Sequence, residues 1–436
     1  MSEPIWKKSA SVAVPEAVMR FLAGQDVVLD RELLPFDIRA SRAHARGLAR
    51  IGLLSDEQAG AIGRELDALS EAFAAGEFVL DDRFEDGHSA IEAWLTARLG
   101  ETGKRIHAGR SRNDQVAVAL RLYLLDRLDR LRDIALAIAE VALARAEREA
   151  DVALPGHTHL QQAMPSSLGL WWAGHAEAFV DDADLAVRIR EHLNASPLGT
   201  ASGFGVNLAL DRDGVAEELD FDRLVVNPQN AQAQRGKAEL RALDALSAAT
   251  GDLRRLAWDL SLFASQEFGF VTVPAAFCTG SSIMPNKHNP DAVELLRALH
   301  ATVVGARAEL ESVLSLPSGY QRDLQDTKPP VLRAFARGLE GLALLPGLLG
   351  GLSWNVERMA SAIRPAQYAT DRANELVAEG LSFRDAYRRV GDELDALEAR
   401  SPADSLAARV SLGGCGRLGL ERIRARADAL RPAAGD

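Results

Sequence analysis

Cysteine is nearly absent from this chain, which has only Cys278 and Cys415 among its 436 residues. Two cysteines cannot form a disulfide framework, and neither belongs to a CxxC pair or a Cys/His cluster of the kind that binds zinc. The glycine-rich patterns that bind dinucleotides or nucleoside triphosphates are missing, and no Asp/Glu/His cluster has metal-ligand spacing. The sequence therefore predicts a protein with no metal and no cofactor.

Long apolar runs and excess positive charge are missing as well. No run of about 18 apolar residues occurs, as a membrane span would need, and the first residues contain no signal-type apolar stretch. The formal net charge is −12, so nucleic acid and anionic membranes would be repelled at long range. We expect a cytoplasmic protein without a nucleic-acid or membrane partner.

Aromatic residues make up only 6% of the chain, although 47% of it is hydrophobic. A β-sandwich is normally richer in aromatic and β-branched residues, so this balance favours packed helices. Proline is absent between Pro35 and Pro155, and apolar residues recur there and later at spacings of three or four. An all-α fold with a long central helical bundle is therefore predicted. Its long helices fall in residues 115–150, 166–192, 291–314 and 332–349, and within 229–273.

The two ends of the chain contain shorter helical patterns that glycine and proline interrupt. This change predicts three domains: an N-terminal helical domain over residues 1–106, a central long-helix bundle over 107–353, and a small C-terminal helical domain over 354–436. Several bundle helices are apolar on more than one face. That pattern favours an oligomer, with its interface in the bundle, over a large monomer with a buried central helix.

The most unusual segment is residues 279–291, with the sequence Thr-Gly-Ser-Ser-Ile-Met-Pro-Asn-Lys-His-Asn-Pro-Asp. It lies between two helical patterns, and its glycine and prolines predict a loop with more polar groups than a connection requires. Asn289 as N-cap and Pro290 at the first position would open the next helix. A helix start beside Lys287 suits a carboxylate ligand, although a capped loop with a solvated lysine would explain the same residues.

Three further polar segments stand at predicted helix boundaries. Residues 155–161 end the long helix at Pro155 and contain His159, and a lone histidine is more often structural than catalytic. Residues 109–115 contain ordinary capping residues for the long helix. Residues 320–328 are consistent with a solvated turn before a proline. Taken alone, each of these segments has a structural explanation.

Together, the four segments resemble those of the argininosuccinate lyases, a family of the fumarase/aspartase superfamily. The loop matches the superfamily pattern G-S-S-x-M-P-x-K-x-N-P at every fixed position. The other segments are similar to the family's P-G-x-T-H-L-Q, G-R-S-R-N-D-Q and Y-x-x-D-x-Q-x-x-K elements, and the resemblance covers roughly residues 20–390. It implies a fumarase/aspartase-like fold, a homotetramer with active sites shared between subunits, and a carbon–nitrogen lyase. The implied reaction cleaves argininosuccinate to arginine and fumarate, the last step of arginine biosynthesis.

The resemblance also implies residue roles. Ser281 would be the base, acting as an alkoxide, and Lys287 would help to neutralise a doubly charged aci-carboxylate intermediate. His159 would support proton transfer to the leaving nitrogen, with Glu294 orienting it. Such a site would have to be dry and closed by a mobile loop. The residues expected to bind substrate are Ser111, Arg112, Asn113, Thr158, Arg235, Asn289, Tyr320, Gln325 and Lys328.

The chain also departs from the family pattern at several places. Residues 21–26 replace a Phe-Asn-Ala-Ser stretch, so a substrate-binding serine is missing there. Gly87 replaces a bulkier residue, His157 replaces an aromatic one, and Arg235 lacks its usual acidic neighbours. The alternatives are therefore another lyase of the superfamily, acting on adenylosuccinate, fumarate or aspartate, a structural homologue without activity, or a helical scaffold.

Helix length gives a separate expectation about assembly. Asn113 and His159 flank the predicted helix over residues 115–150, which would be about 50 Å long at about 1.5 Å per residue. A small substrate cannot touch both ends of such a helix. If both residues serve one active site, they must come from different subunits.

Overall fold

The computed structural model describes residues 15–432, and helices dominate it, which confirms the prediction of an all-α fold. Residues 1–14 and 433–436, where the expectation about a signal segment and the outermost domain bounds fall, lie outside the described residues. The α-helices, numbered α1 to α17, are Glu16–Ala23, Asp26–Arg50, Asp56–Ala74, Gly87–Leu99, Glu101–Lys104, Arg112–Arg148, Leu168–Leu193, Arg212–Glu218, Pro228–Ala233, Lys237–Phe263, Asp291–Val313, Lys328–Gly350, Val356–Ser361, Ala369–Ala378, Phe383–Asp392, Pro402–Ala407 and Leu420–Ala429.

Strands are short and form two-stranded pairings within the described part of the chain. Strands β1 to β8 are Ala153–Thr158, Gln161–Ser167, Ala195–Ser196, Arg223–Leu224, Val271–Thr272, Thr279–Gly280, His288–Asn289 and Ser353–Trp354. β1 pairs with β2, β5 with β8 and β6 with β7, all antiparallel, whereas β3 and β4 are parallel. No helix within residues 15–432 has the length and apolar character that crossing a bilayer requires.

All the predicted long helices are present, as α6, α7, α10, α11 and α12, but some of their ends differ. The expected end of the long helix at Pro155 is wrong, because α6 ends at Arg148 and Pro155 lies within β1. α10 begins only at Lys237, since Gly236 has a φ of 76° that interrupts the helical run. α12 begins at Lys328, ahead of the expected start, because the prolines after Lys328 occupy its first turn, where no N–H donor is needed.

The chain folds into two compact units. Unit 1 comprises Met1–Arg130, Ala186–Leu246 and Val303–Ala336, and unit 2 comprises Leu131–Leu185, Ser247–Thr302 and Arg337–Asp436. Each unit is therefore assembled from three separate stretches of chain. The division into three sequential domains stays a prediction.

The core of unit 1 contains a packed group of apolar side chains from α2, α3 and α4. Burial of each such side chain contributes about 1.5–3 kcal/mol. Capping boxes fix the starts of two of these helices, with Ser55 and Gln58 at α3 and Asp86 and Ser89 at α4. The α4 cap is what places Asp86 and the residues after it beside α2. The fully buried members of the group include Leu34, Ile38, Leu48, Ile62, Leu66, Leu69, Ile91 and Leu95.

Unit 2 contains an aromatic cluster in which ring centroids lie 4.7–6.3 Å apart. Arg145 of α6 donates to the carbonyl of Leu352 at 2.9 Å, and Nε lies 3.0 Å from the Glu149 carboxylate. Glu149 in turn accepts from the Trp172 indole at 2.8 Å. These bonds hold the last turns of α6 immediately before the β1–β2 hairpin. The cluster consists of Trp171, Trp172, Phe263, Phe270 and Trp354.

Candidate active site

His159 lies at the tip of the β1–β2 hairpin. Thr158 pairs with Gln161 where the two strands end, so His159 and Leu160 form a two-residue turn. Their φ angles are 55° and 57°, as a type I′ turn requires, yet neither residue is the Gly, Asn or Asp that normally occupies it. A left-handed backbone costs about 1–2 kcal/mol per residue. Because strain of this kind clusters at functional sites, it supports a functional role for His159.

Neighbouring contacts fix the hairpin strand that carries His159. Thr158 and His159 are exposed, whereas His157 is half-buried. The His157 ring packs edge-on against Phe268, with centroids 5.9 Å apart. Its Nδ1 lies 2.9 Å from the carbonyl oxygen of Pro155, so Nδ1 carries the proton and donates. His157 thus makes an aromatic contact at the position where the resemblance expects an aromatic residue.

The polar segment 279–291 forms a loop, as predicted, and short strands close its base. β6 and β7 pair Thr279 with Asn289 and Gly280 with His288. The Thr279 hydroxyl also donates to the Asp291 carboxylate. The two ends of the loop are thereby fastened to each other and to the start of α11.

Ser281 is the first residue after the strand that opens this loop. Its Oγ accepts hydrogen bonds from the backbone N–H of Met284 at 3.0 Å and of Ile283 at 3.4 Å. Ser281 is half-buried, while Ile283 at the tip of the loop is 82% exposed. The loop backbone therefore sets the position of the Ser281 hydroxyl, and in a single chain the loop faces solvent.

Lys287 and Glu294 lie on either side of the start of α11, and both are exposed. The expected N-cap role of Asn289 is wrong, because Asn289 pairs in β7 and α11 begins at Asp291. The carbonyl of Pro290 accepts the first helical bond, from Glu294 N–H at 3.2 Å. The lysine and the positive end of the helix dipole still lie within one short stretch, which suits a carboxylate ligand. Within the described residues, no hydrogen bond joins this loop to the His159 hairpin.

In unit 1, Ser111 and Asn113 stand at the start of α6, and both are half-buried. The Ser111 hydroxyl accepts from the Asn113 N–H at 3.3 Å. The buried Asp114 carboxylate accepts from the N–H of Ser111 at 2.8 Å and from those of Gly199 and Ala201, both at 2.9 Å. Asp114 therefore fixes the helix start, and the side chain of Asn113 is not needed for that task.

Arg112 binds two carboxylates of the segment before α4. Its guanidinium lies 2.9 Å from Glu85 and 2.8 Å from Asp86. Burial opposes the charged form, but these carboxylates raise the pKa of Arg112 above its usual value. Burial likewise opposes ionisation of Asp86, yet the positive charges of His88 and Arg112 keep the pKa of Asp86 below its usual value. The group is a fixed set of ion pairs at physiological pH.

Lys328 is almost completely buried between two further carboxylates. Its Nζ lies 2.5 Å from Asp26 and 2.8 Å from Asp30. Asp30 also accepts the Gly87 N–H at 2.9 Å. Burial opposes the charge on Lys328, but Asp30 and Asp26 raise its pKa above the usual value. Lys328 is therefore a fixed cation beside the Arg112 ion pairs.

The rest of the predicted substrate-binding strip lies just before α12. Residues Arg322–Thr327 form a short 3-10 helix. Gln325 and Arg322 both donate to the Leu22 carbonyl, at 3.1 and 2.7 Å, and Tyr320 ahead of them is half-buried. The strip thus carries Tyr320, Gln325 and Lys328 in one stretch, and its hydrogen bonds to Leu22 hold the last turn of α1 against it.

Arg235 lies in the interior of unit 1, only 5% exposed. It donates to the Leu324 carbonyl at 3.2 Å, and its Nε lies 4.0 Å from Glu239. Burial raises the pKa of Glu239 and lowers that of nearby Arg121 to about 10. Through Leu324, Arg235 supports the 3-10 helix of the strip, which is an indirect contact with the candidate site.

Asp26, Asp30 and Asp86 were not among the predicted site residues. A sequence signal existed near Asp86, since the next residue, Gly87, is one of the positions at which the chain departs from the family pattern. The contact between α2 and Lys328 joins residues about 300 positions apart. A local sequence pattern cannot predict a contact between such distant residues.

Comparisons with known proteins identify the family to which this chain belongs. A family model described as Lyase matches residues 11–305. The chain is 53% identical to the argininosuccinate lyase of Stenotrophomonas maltophilia strain R551-3 over 431 residues, which is 99% of this chain and 100% of that protein. The chain belongs to the argininosuccinate lyase family. It is also 53% identical, over 432 residues, to the argininosuccinate lyase of Xanthomonas campestris pv. campestris strain B100, again covering 99% of this chain and 100% of the relative.

The fold of the chain is also similar to that of a solved structure. The crystal structure of EDDS lyase in complex with formate aligns with a TM-score of 0.78 at 22% identity, covering 96% of this chain and 90% of that one. At this identity only the fold is compared. The fold and family resemblance drawn from the sequence motifs is confirmed, and membership of the argininosuccinate lyase family makes the protein a lyase.

Proposed function

We propose that this lyase cleaves argininosuccinate to arginine and fumarate, as the last step of arginine biosynthesis in the cytoplasm. The observation that carries the proposal is family membership at 53% identity over nearly the whole chain. The Ser281 loop and the His159 hairpin support it, because each holds a group suited to one proton transfer of an elimination. In the reaction a C–H and a C–N bond break and the C=C bond of fumarate forms, while one proton is lost to the base and one is gained by the leaving guanidino nitrogen.

The first step removes a weakly acidic proton beside a carboxylate and creates a doubly charged aci-carboxylate. Its charge has to be neutralised before the proton leaves. Lys287, Asn289 and the start of α11 supply a cation and donors for this purpose within one loop. Ser281 would take the proton as an alkoxide. A serine hydroxyl is too weak an acid without a dry, cationic site, so closure over the exposed tip of the loop is part of the proposal.

The second step delivers a proton to the leaving nitrogen. His159 is exposed at a strained turn, where it can reach a substrate directly or through water, and Glu294 would orient it. Thr158 beside it would bind the substrate. In unit 1, the groups proposed to bind the rest of the substrate are Ser111, Arg112, Asn113, Tyr320, Gln325 and Lys328, with Arg235 supporting them through Leu324.

We also propose a homotetramer in which each active site takes residues from several subunits. α6 is a single helix of 37 residues, about 55 Å long, with Asn113 in its first turn and His159 beyond its last. Large apolar side chains remain exposed on the long helices, including Trp258 at 46%, Leu295 at 63% and Leu344 at 45%. Such surface is suited to burial between subunits.

The direct test measures fumarate release by ultraviolet absorbance. Purified protein would receive argininosuccinate, with adenylosuccinate and malate in parallel. We expect fumarate from argininosuccinate alone. Fumarate released from adenylosuccinate or malate instead would support the elimination mechanism but contradict argininosuccinate as the substrate. If a folded oligomer released no fumarate from any of the three compounds, the result would favour a structural homologue without activity.

Mixed oligomers test the shared site. Ser281→Ala lies in unit 2 and Asn113→Ala in unit 1, and each variant alone should have little activity. After the two are unfolded and refolded together, we expect activity that neither parent shows, because some sites then receive both intact residues. Refolding each variant by itself is the control. A mixture as inactive as its parents would mean that both residues come from the same subunit.

A further inference from the structure

Asp26 ends the stretch of residues 21–26 in which the family resemblance expects a substrate-binding serine that this chain lacks. It is the first residue of α2, and its carboxylate lies 2.5 Å from Lys328 Nζ. Of the three groups in this ion cluster, Lys328 is 3% exposed, Asp30 is 6% exposed and Asp26 is 17% exposed. A ligand that approaches from solvent therefore meets Asp26 first.

The charges around Asp26 do not balance. Two carboxylates, from Asp26 and Asp30, share the single positive charge of Lys328. The adjacent Arg112 is likewise shared between Glu85 and Asp86. Burial raises the pKa of Asp26 above its usual value in spite of Lys328, and repulsion from Asp30 and Asp86 acts in the same direction. His88, the other cation of the cluster, is paired with a further carboxylate, that of Asp37, at 2.5 Å, so carboxylates still outnumber cations.

Hydrogen bonds position the residues around Asp26. The Leu22 carbonyl, four residues earlier, accepts from Gln325 and Arg322 of the predicted substrate-binding strip. Lys328 Nζ has three N–H donors, and the two carboxylates take two of them. A zwitterionic amino-acid end could place its ammonium against Asp26 and its carboxylate toward the remaining Lys328 donor. A neutral serine could accept a hydrogen bond here but could not supply the charge.

We infer that Asp26 is a specificity-determining residue that selects substrates by the free α-ammonium group of their amino-acid end. This inference rests on the proposed function, because it assigns the arginine half of the substrate to this part of the site. Removing the negative charge should weaken ligands that carry the ammonium group and leave ligands without it nearly unchanged.

Two inhibitors of fumarate release test the assignment. One is arginine, and the other is the analogue that lacks the α-ammonium group, δ-guanidinovalerate. In the wild-type enzyme we expect arginine to inhibit at least about thirtyfold more strongly, because an unpaired buried charge is costly. Asp26→Asn and Asp26→Ser should each reduce this ratio about tenfold or more, the size expected for a hydrogen bond between charged groups. Asp30 still holds Lys328 in both variants.

Asp56→Asn is the matched control, since Asp56 is the exposed first residue of α3 and the change removes the same charge at the same helix position. It should leave the inhibitor ratio unchanged. A ratio that also stays unchanged in both Asp26 variants, with the two inhibitors weakened equally, would reduce Asp26 to a structural role and overturn the inference. If the wild-type enzyme released no fumarate from argininosuccinate, that result would instead contradict the proposed function, and the inference that rests on it would fail as well.

Discussion

Replacing Ser281 with alanine should lower kcat/KM for argininosuccinate by at least about a thousandfold, within the range for loss of a general base. The expected loss is in kcat, because the hydroxyl acts only when the proton leaves. Ser281 also accepts two backbone hydrogen bonds of its loop, so the loss could have a structural origin. A KM within a few-fold of the wild-type value would show that the loop still binds substrate.

Ser282→Ala is the control for this measurement. Ser282 is the exposed next residue on the same loop, so its replacement should change kcat by no more than a few-fold. Unfolding temperatures of both variants should match that of the wild type. If Ser281→Ala kept near-normal turnover, the base would have to be sought elsewhere in the site.

Replacing Asp182 with asparagine should stabilise the protein, and more so as the pH rises toward 8. Asp182 is buried on α7, and its Oδ2 has no hydrogen-bond partner within residues 15–432. Burial, together with the charges of Asp252 and Asp181, raises its pKa to about 8. Below about pH 4 both folded and unfolded states hold the proton, so Asp182 has no effect there. Between pH 4 and 8 only the unfolded state loses it, and folding stability falls as the pH rises.

The size of the effect follows from the shift. Each pH unit in that window corresponds to about 1.4 kcal/mol, so the difference between the variants could approach about 5 kcal/mol at pH 8. Unfolding temperature measured from pH 4 to 8 at one protein concentration would show the two curves separating. Glu177→Gln, an exposed change on the same helix, should shift stability by about 0.5 kcal/mol or less. Parallel curves for wild type and Asp182→Asn would contradict the expectation.

Helix positions could be predicted from the sequence because apolar periodicity is a local signal, and α7 and α11 begin and end within two residues of the expected positions. The β1–β2 hairpin could not, because its turn at His159 and Leu160 lacks the glycine or asparagine that announces a type I′ turn. Pro155 suggested a helix end, whereas it lies in a strand after the helix has already ended.

The candidate site also contains residues whose positions could be predicted from local sequence and residues whose positions could not. Ser281 and Lys287 could be placed on one loop because the motif is contiguous. The interior position of Arg235 and the enclosure of Lys328 by two carboxylates depend on contacts between distant segments. A single sequence contains no information about such pairs. The stretch of residues 21–26 showed only that a serine is missing, whereas the contact between Asp26 and Lys328 is visible only in the folded chain.

The bond between Asp30 and Lys328 also sets an order of events during synthesis. The two residues are separated by 298 positions, so α2 emerges from the ribosome long before its lysine exists. At about 5–20 residues per second, the delay is roughly 15–60 s. During that time the nascent N-terminal helices can pack with each other, but Asp26 and Asp30 lack the lysine that lies between them in the folded protein. Unit 1 is therefore finished late, only after more than two thirds of the chain has been translated.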